Sequence, residues 1–175
     1  MANYRRVFEN GYSYFITIVT YRRNPILLQN VTLLREAFRD AKRRYGFRVD
    51  AIVILPDHLH MILTPEKAKD YPQIVGHVKR YFSQHCDPNL YEHLPQSPSR
   101  KARGYKPVWQ KRYYEHCLRD EDDYRRHLDY IHYNPVKHGL ASRARNWEHS
   151  SFQRFVARGY YPEDWCDLSD ELDIE

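Results

Sequence analysis

Apolar positions along the chain recur with two periods. Residues 12–21 (YSYFITIVTY) are dense in β-branched and aromatic side chains and predict a first strand, ended by Arg22-Arg23-Asn24-Pro25. Leu33, Leu34, Ala37, Phe38 and Ala41 follow helical spacing, predicting a helix capped by Asn30, running to about Tyr45 and stopped by Gly46. Residues 47–55 and 58–65 read as a strand hairpin around the turn Pro56-Asp57. Ile74, Val75, Val78, Tyr81 and Phe82 mark a second helix, with Asp70 as its N-cap, Pro72 in its first turn and its end near Cys86. Residues 108–118 read as a fourth strand, best defined over 113–118. A third helix opens at Arg119-Asp120 and carries Tyr124, Leu128 and Ile131. It is expected to end or kink at Asn134-Pro135, because proline disfavours a helical residue before it. Phe152, Phe155 and Val156 predict one more helix.

The order β-α-β-β-α-β predicts an α+β, ferredoxin-like (split βαβ) core: a four-stranded antiparallel sheet with helices on one face. The third helix is added outside that repeat. A length of 175 residues fits one domain, expected over residues 1–162. Residues 87–107 carry Pro, Ser and the run Ser99-Arg100-Lys101-Ala102-Arg103-Gly104, and read as a structure-poor, mobile basic loop. Residues 163–175 form an acidic tail with few apolar anchors, expected to be mobile.

Charge separates the body from that tail. No Lys or Arg follows Arg158, whereas seven acids do, so residues 1–162 carry a net charge of +12. A body that basic points to a polyanionic partner, nucleic acid being the commonest. Arg5, Arg6, Arg22, Arg23, Lys79, Arg80, Lys111, Arg112, Arg125 and Arg126 are the candidate phosphate contacts. Sixteen tyrosines and three tryptophans offer faces that stack on unpaired bases as well as fill a core. Three scattered cysteines without a CxxC fit neither a disulfide framework nor a zinc ribbon, and a reducing cytoplasm is expected. No apolar run reaches the length of a membrane span.

The second strand of the hairpin begins His58-Leu59-His60. Side chains alternate faces along a strand, so both imidazoles project the same way, two corners of a metal site. Tyr130 and Asn134 lie four apart and share a helix face. Set against the histidines, they complete a site of two imidazoles and one amide oxygen with a phenol beside it. That donor set suits Mg2+ or Mn2+ better than a closed structural zinc. Spacing alone leaves the pairing open, since tyrosine is abundant here and Asn before Pro is an ordinary turn.

PDHLH, VWQKRYYEH, YRRHLDYIHYNPVKHGL and WEHSSFQRFVARGYYPEDW occur in this order in the chain. Together they resemble the REP-associated tyrosine transposases, relatives of the single-tyrosine HUH transposases, over residues 4–165. The resemblance implies a ferredoxin-like fold, single-stranded or hairpin DNA as substrate, a divalent metal and a covalent 5′-phosphotyrosine intermediate. It also implies a monomer with both motif halves in one chain. His58 and His60 match the HUH pair, Tyr130 the nucleophile and Asn134 the third, amide ligand. Tyr113, Tyr114, Tyr124 and Tyr133 are the competing tyrosines. A phenol keeps its proton at neutral pH and must lose it during attack. His116, His127 and His132 are candidates to receive it, and the sequence does not choose among them. The alternative function is a non-catalytic, structure-specific hairpin-binding protein, and a third reading is an RNA-binding module of the same fold.

Overall fold

The computed structural model describes residues 11–166. Arg5, Arg6 and most of the acidic tail therefore lie outside the described residues. The strands are β1 (Tyr14–Val19), β2 (Phe47–Ile54), β3 (His58–Pro65) and β4 (Tyr114–Cys117). They form one antiparallel sheet in the order β2-β3-β1-β4, which is the ferredoxin-like arrangement. β3 starts at His58 as expected, and β4 is confined to the end of its predicted run.

Both faces of the sheet are covered. Tyr14, Ile16 and Ile18 of β1 and Leu59, Met61 and Leu63 of β3 pack on α1 (Val31–Lys42) and α2 (Tyr71–His85). The alternate residues Phe15, Val53 and Ile62 pack on α4 (Glu121–Lys137) and α5 (Phe152–Ala157). Two buried faces explain why β1 and β3 read as nearly continuous apolar runs. β2 is an outer strand, and residues 149–151 cover its edge: Ile54 donates to the His149 carbonyl and Ser151 to that of Ile52. That edge is thereby paired rather than left open.

α4 begins with an N-cap at Asp120, whose carboxylate accepts from the Asp123 N–H at 2.8 Å. Contrary to expectation, Asn134-Pro135 does not end it. Proline lacks one N–H, and so late in the helix it deletes a single bond while the last turn continues. The helix stops at Gly139, which has φ +66°. There the Gly139 N–H meets the Val136 carbonyl and the Leu140 N–H meets the Pro135 carbonyl, both at 2.9 Å, a Schellman motif.

The 87–107 segment also departs from expectation, for it is partly ordered into regular turns. It contains a 3-10 turn (Pro88–Leu90) and a short helix, α3 (Pro98–Ala102), with Ser97 as its N-cap. Tyr91 is buried, the Tyr21 hydroxyl donates to the Pro95 carbonyl at 2.9 Å, and the Asn24 amide donates to that of Leu90 at 2.8 Å. These contacts tie the segment to the turn after β1.

Candidate active site

Strand register sets the floor of the site. Thr17 pairs with His60 and Val19 with His58, while Phe15 pairs with His116 and Thr17 with Tyr114 across β4. His58, His60, Phe15, Thr17, Tyr114 and His116 therefore share the face that α4 crosses. His58 and His60 are both buried, with ring centroids 4.9 Å apart and nearly perpendicular.

Each imidazole has a hydrogen-bonding neighbour at Nδ1. Asp57 Oδ1 lies 2.6 Å from His58 Nδ1. A carboxylate only accepts, so Nδ1 carries the proton and Nε2 keeps its lone pair. His60 Nδ1 lies 2.7 Å from the Thr17 hydroxyl. That hydroxyl can accept or donate, and when it accepts from Nδ1 the lone pair of His60 stays on Nε2, a buried atom without a partner among the described residues. Burial holds the His60 pKa well below the usual histidine value, which favours the neutral imidazole.

α4 lays three residues of one face over this floor. The Tyr130 ring stands 5.2 Å from that of His60, and the His138 ring 5.3 Å from that of His58. Asn134 lies on the turn between them, fully buried, and neither of its amide atoms has a partner among the described residues. Burying an unpaired amide costs about 1–3 kcal/mol. That cost is offset if the carbonyl oxygen ligates a cation. Two unpaired buried acceptor atoms, His60 Nε2 and Asn134 Oδ1, thus fit a divalent ion, whereas the Asn134 Nδ2 is a donor that a cation leaves unpaired.

A cleft of about 670 Å³ opens beside this cluster, lined by Phe15, Thr17, His60, Tyr114, His116, Asp123, Arg126, His127, Tyr130 and Lys137. Lys137 Nζ lies 5.2 Å from the centroid of the Tyr130 ring. Of the three histidines left open by the sequence, His116 and His127 line the cleft. His132 does not: it is buried on the α5 side, 2.8 Å from Ser151 Oγ and 3.3 Å from the Tyr161 hydroxyl. Asp123 ties the other two together, 2.8 Å from His116 Nε2 and 3.1 Å from His127 Nδ1. Burial opposes its ionisation, but the Arg119 N–H and His116 outweigh that and keep its carboxyl below the usual range. Among the described residues this His116–Asp123–His127 group is the one His/Cys/Asp/Glu cluster with metal-ligand spacing.

The competing tyrosines separate. Tyr124 is half-buried among the apolar residues of α4, and Tyr114 is exposed at the cleft mouth. The candidate phosphate contacts separate as well. Arg23 Nη1 reaches the Asp57 carboxylate at 3.4 Å and stands 3.3 Å from His58 Nδ1, which as a donor to Asp57 accepts nothing from it. It does so because Arg22 and Arg23 adopt left-handed φ of +53° and +58°, a conformation that costs a non-glycine residue energy and clusters at functional sites. Arg126 lines the cleft, whereas Arg125 pairs with Glu121 at 3.5 Å. Lys79, Arg80 and Lys111 lie around a different cleft, and Arg112 is exposed. Trp109 is core, packed on Phe82 with its Nε1 bonded to the Lys79 carbonyl. The sequence reading missed Thr17, Asp57, Lys137 and His138. His138 alone left a signal, falling four residues after Asn134 and eight after Tyr130.

Residues 8–134 match the model of the family described as "Transposase IS200 like". A REP-associated tyrosine transposase of Escherichia coli (strain K12) is 38% identical over 173 residues, 97% of this chain and 94% of its own. A Haemophilus influenzae relative is likewise 38% identical over 167 residues, 94% of this chain and 93% of its own. A solved structure, a REP-associated tyrosine transposase bound to a REP hairpin, superposes with a TM-score of 0.78 at 35% identity, covering 99% of this chain and 96% of that one. Sequence, fold and near-complete coverage agree: the chain belongs to the REP-associated tyrosine transposases, within the IS200-like transposase family.

Proposed function

We propose that this chain nicks and rejoins single-stranded DNA flanking palindromic, REP-like hairpins through a 5′-phosphotyrosine on Tyr130. One observation carries the reading. Tyr130 stands against His60, whose buried Nε2 lacks a partner among the described residues, while Asn134, one turn along the same helix face, buries an amide equally unpartnered among them. His58, His60 and Asn134 would hold Mg2+ or Mn2+. A cation bound there offsets the charge of a non-bridging phosphate oxygen and makes the phosphodiester a better electrophile. The relative that was solved with a REP hairpin supports the substrate class.

The chain's own groups divide the remaining work. The Tyr130 oxygen attacks phosphorus, a Tyr–O–P bond forms and the P–O3′ bond breaks. His116 or His127, in the same cleft, takes the phenolic proton, and the departing 3′-oxygen takes a proton from water and leaves as a hydroxyl. Lys137, over the Tyr130 ring, favours the negative charge that develops there. One ester replaces another, so rejoining by the same 3′-hydroxyl needs no nucleotide cofactor.

The test is a denaturing gel with labelled hairpin DNA bearing single-stranded flanks, run with EDTA, Mg2+ or Mn2+. The expected result is a metal-dependent protein-linked band, absent from Tyr130→Phe and kept by Tyr114→Phe. Full adduct formation by Tyr130→Phe would overturn the assignment. Binding to several hairpins without adduct in either metal would favour the non-catalytic hairpin-binding function.

A further inference from the structure

We propose that the 87–107 segment, α2 and residues 110–111 form a second DNA site, a phosphate-binding cleft. It would hold unpaired strand running round the β4 edge from the Tyr130 cleft. This inference rests on the DNA-processing reading above and adds a substrate-binding site to it.

The cleft has a volume of about 430 Å³ and is lined by Lys79, Arg80, Arg100, Lys106 and Lys111, with no carboxylate in its lining. None of the five has an ion-pair partner among the described residues. Lys79 Nζ donates to the Gln110 carbonyl at 2.8 Å and Lys106 Nζ to the Ser83 carbonyl at 3.0 Å, but carbonyls neutralise no charge, and cations gathered round one concavity without a carboxylate repel one another. Burial and the charge of Arg100 push the Lys79 ammonium down to about 8. A phosphate backbone supplies the missing charge.

Arg100 is built in rather than solvated. Its guanidinium lies 4.5 Å from the Tyr21 ring centroid and 5.6 Å from that of Tyr105, and its Nε is buried without a partner among the described residues. A fork held between two rings is oriented before a phosphate arrives. Tyr105 is 44% exposed, which leaves part of its ring available to an unpaired base.

Two connections link this cleft to the candidate active site. The turn Tyr21–Arg23 supports Arg100 through Tyr21 and reaches His58 through Arg23. Gln110 and Lys111 line the basic cleft, and Tyr114, three residues on, lines the Tyr130 cleft. Three residues span at most about 10 Å, a distance that a short single strand covers. β4 is an outer strand, and among the described residues no further strand pairs beyond it.

The test uses the full chain and a labelled palindromic hairpin, either flush-ended or carrying unpaired flanks on both sides. Affinities are read by fluorescence anisotropy across 50–200 mM salt. Lys106→Glu/Lys111→Glu changes two exposed cleft residues. Lys101→Glu/Arg103→Glu makes the same charge change on exposed residues of the same segment outside the cleft. The cleft variant should bind the flanked hairpin at least ~10-fold more weakly and lower the salt slope by about 2, with the flush hairpin changed less than ~3-fold. The control should track wild type, and Lys106→Arg/Lys111→Arg should retain flank binding. Equal losses on both hairpins, equal losses in the control, or no loss would each overturn the proposal. Adduct formation is scored separately. Flank preference lost in the cleft variant, with no adduct in wild type, would keep the cleft and remove the nicking function.

Discussion

The Asp57 carboxylate accepts a 2.6 Å hydrogen bond from Nδ1 of His58, the residue that follows it. The turn that opens β3 thus supplies both an imidazole and the group that orients it. A carboxylate in this position fixes the tautomer and raises the basicity of the free nitrogen, and losing it typically costs 10–100-fold in metal affinity. Asp57→Ala should therefore weaken Mn2+ binding by about that factor. Titration calorimetry on metal-free protein checks it, and unchanged affinity would remove His58 Nε2 from the ligand set.

Asn134 carries an opposite sign in the absence of metal. Both amide atoms are buried and unpartnered among the described residues, so the side chain is a burden to the metal-free fold. Replacing it by a similarly sized apolar group removes that burden. Asn134→Leu should gain about 1–2 kcal/mol in urea unfolding with EDTA present. The same variant should lose most of the stabilisation that wild type gains on adding Mn2+. Destabilisation in EDTA would mean the amide has a protein partner after all.

Much of this geometry was legible before any coordinates. Strand alternation put His58 and His60 on one face, and helical spacing put Tyr130 and Asn134 on another. Apolar periodicity placed all four strands and the helices α1, α2 and α4. What it could not show was the partner of each Nδ1, Asp57 for His58 and Thr17 for His60, and Thr17 comes from another strand. Arg23 beside His58 was also hidden, since it depends on two non-glycine residues in left-handed conformation. The order within 87–107 was partly readable: Ser97-Pro98 is an N-cap followed by proline in the first turn, the start of α3. The end of α4 was misread because Asn134-Pro135 was expected to end or kink the helix, whereas Gly139, at φ +66°, has the conformation that terminates it.

Gly139 offers a direct check of that ending. Its φ is +66°, and a Cβ added there meets nothing within 4 Å, so any cost of a side chain is conformational rather than steric. Gly139→Ala should destabilise the protein by about 1 kcal/mol. Because His138 precedes the turn and packs on His58, the variant should also perturb the His58 and His138 ring resonances in NMR spectra. A neutral substitution would show that the left-handed cap contributes little.

His132 gives a pH dependence with a definite sign. Burial, with a smaller contribution from the charge of Arg154, lowers its pKa from the ordinary 6.5 to about 3. It is held neutral between Ser151 and Tyr161. Below pH 6.5 the unfolded chain binds a proton that the folded chain refuses, so stability is fully present above that value and falls as the pH drops toward 3. Between pH 7.5 and 4.5 this one group should cost the fold about 3 kcal/mol. His132→Gln, which keeps a hydrogen-bonding side chain but cannot titrate, should be less stable at pH 7.5 and show a shallower fall on acidification. Chemical denaturation of both proteins across that range measures the difference. Parallel pH profiles would mean that His132 titrates normally and that the contact between α4 and residues 151–161 does not depend on its neutrality.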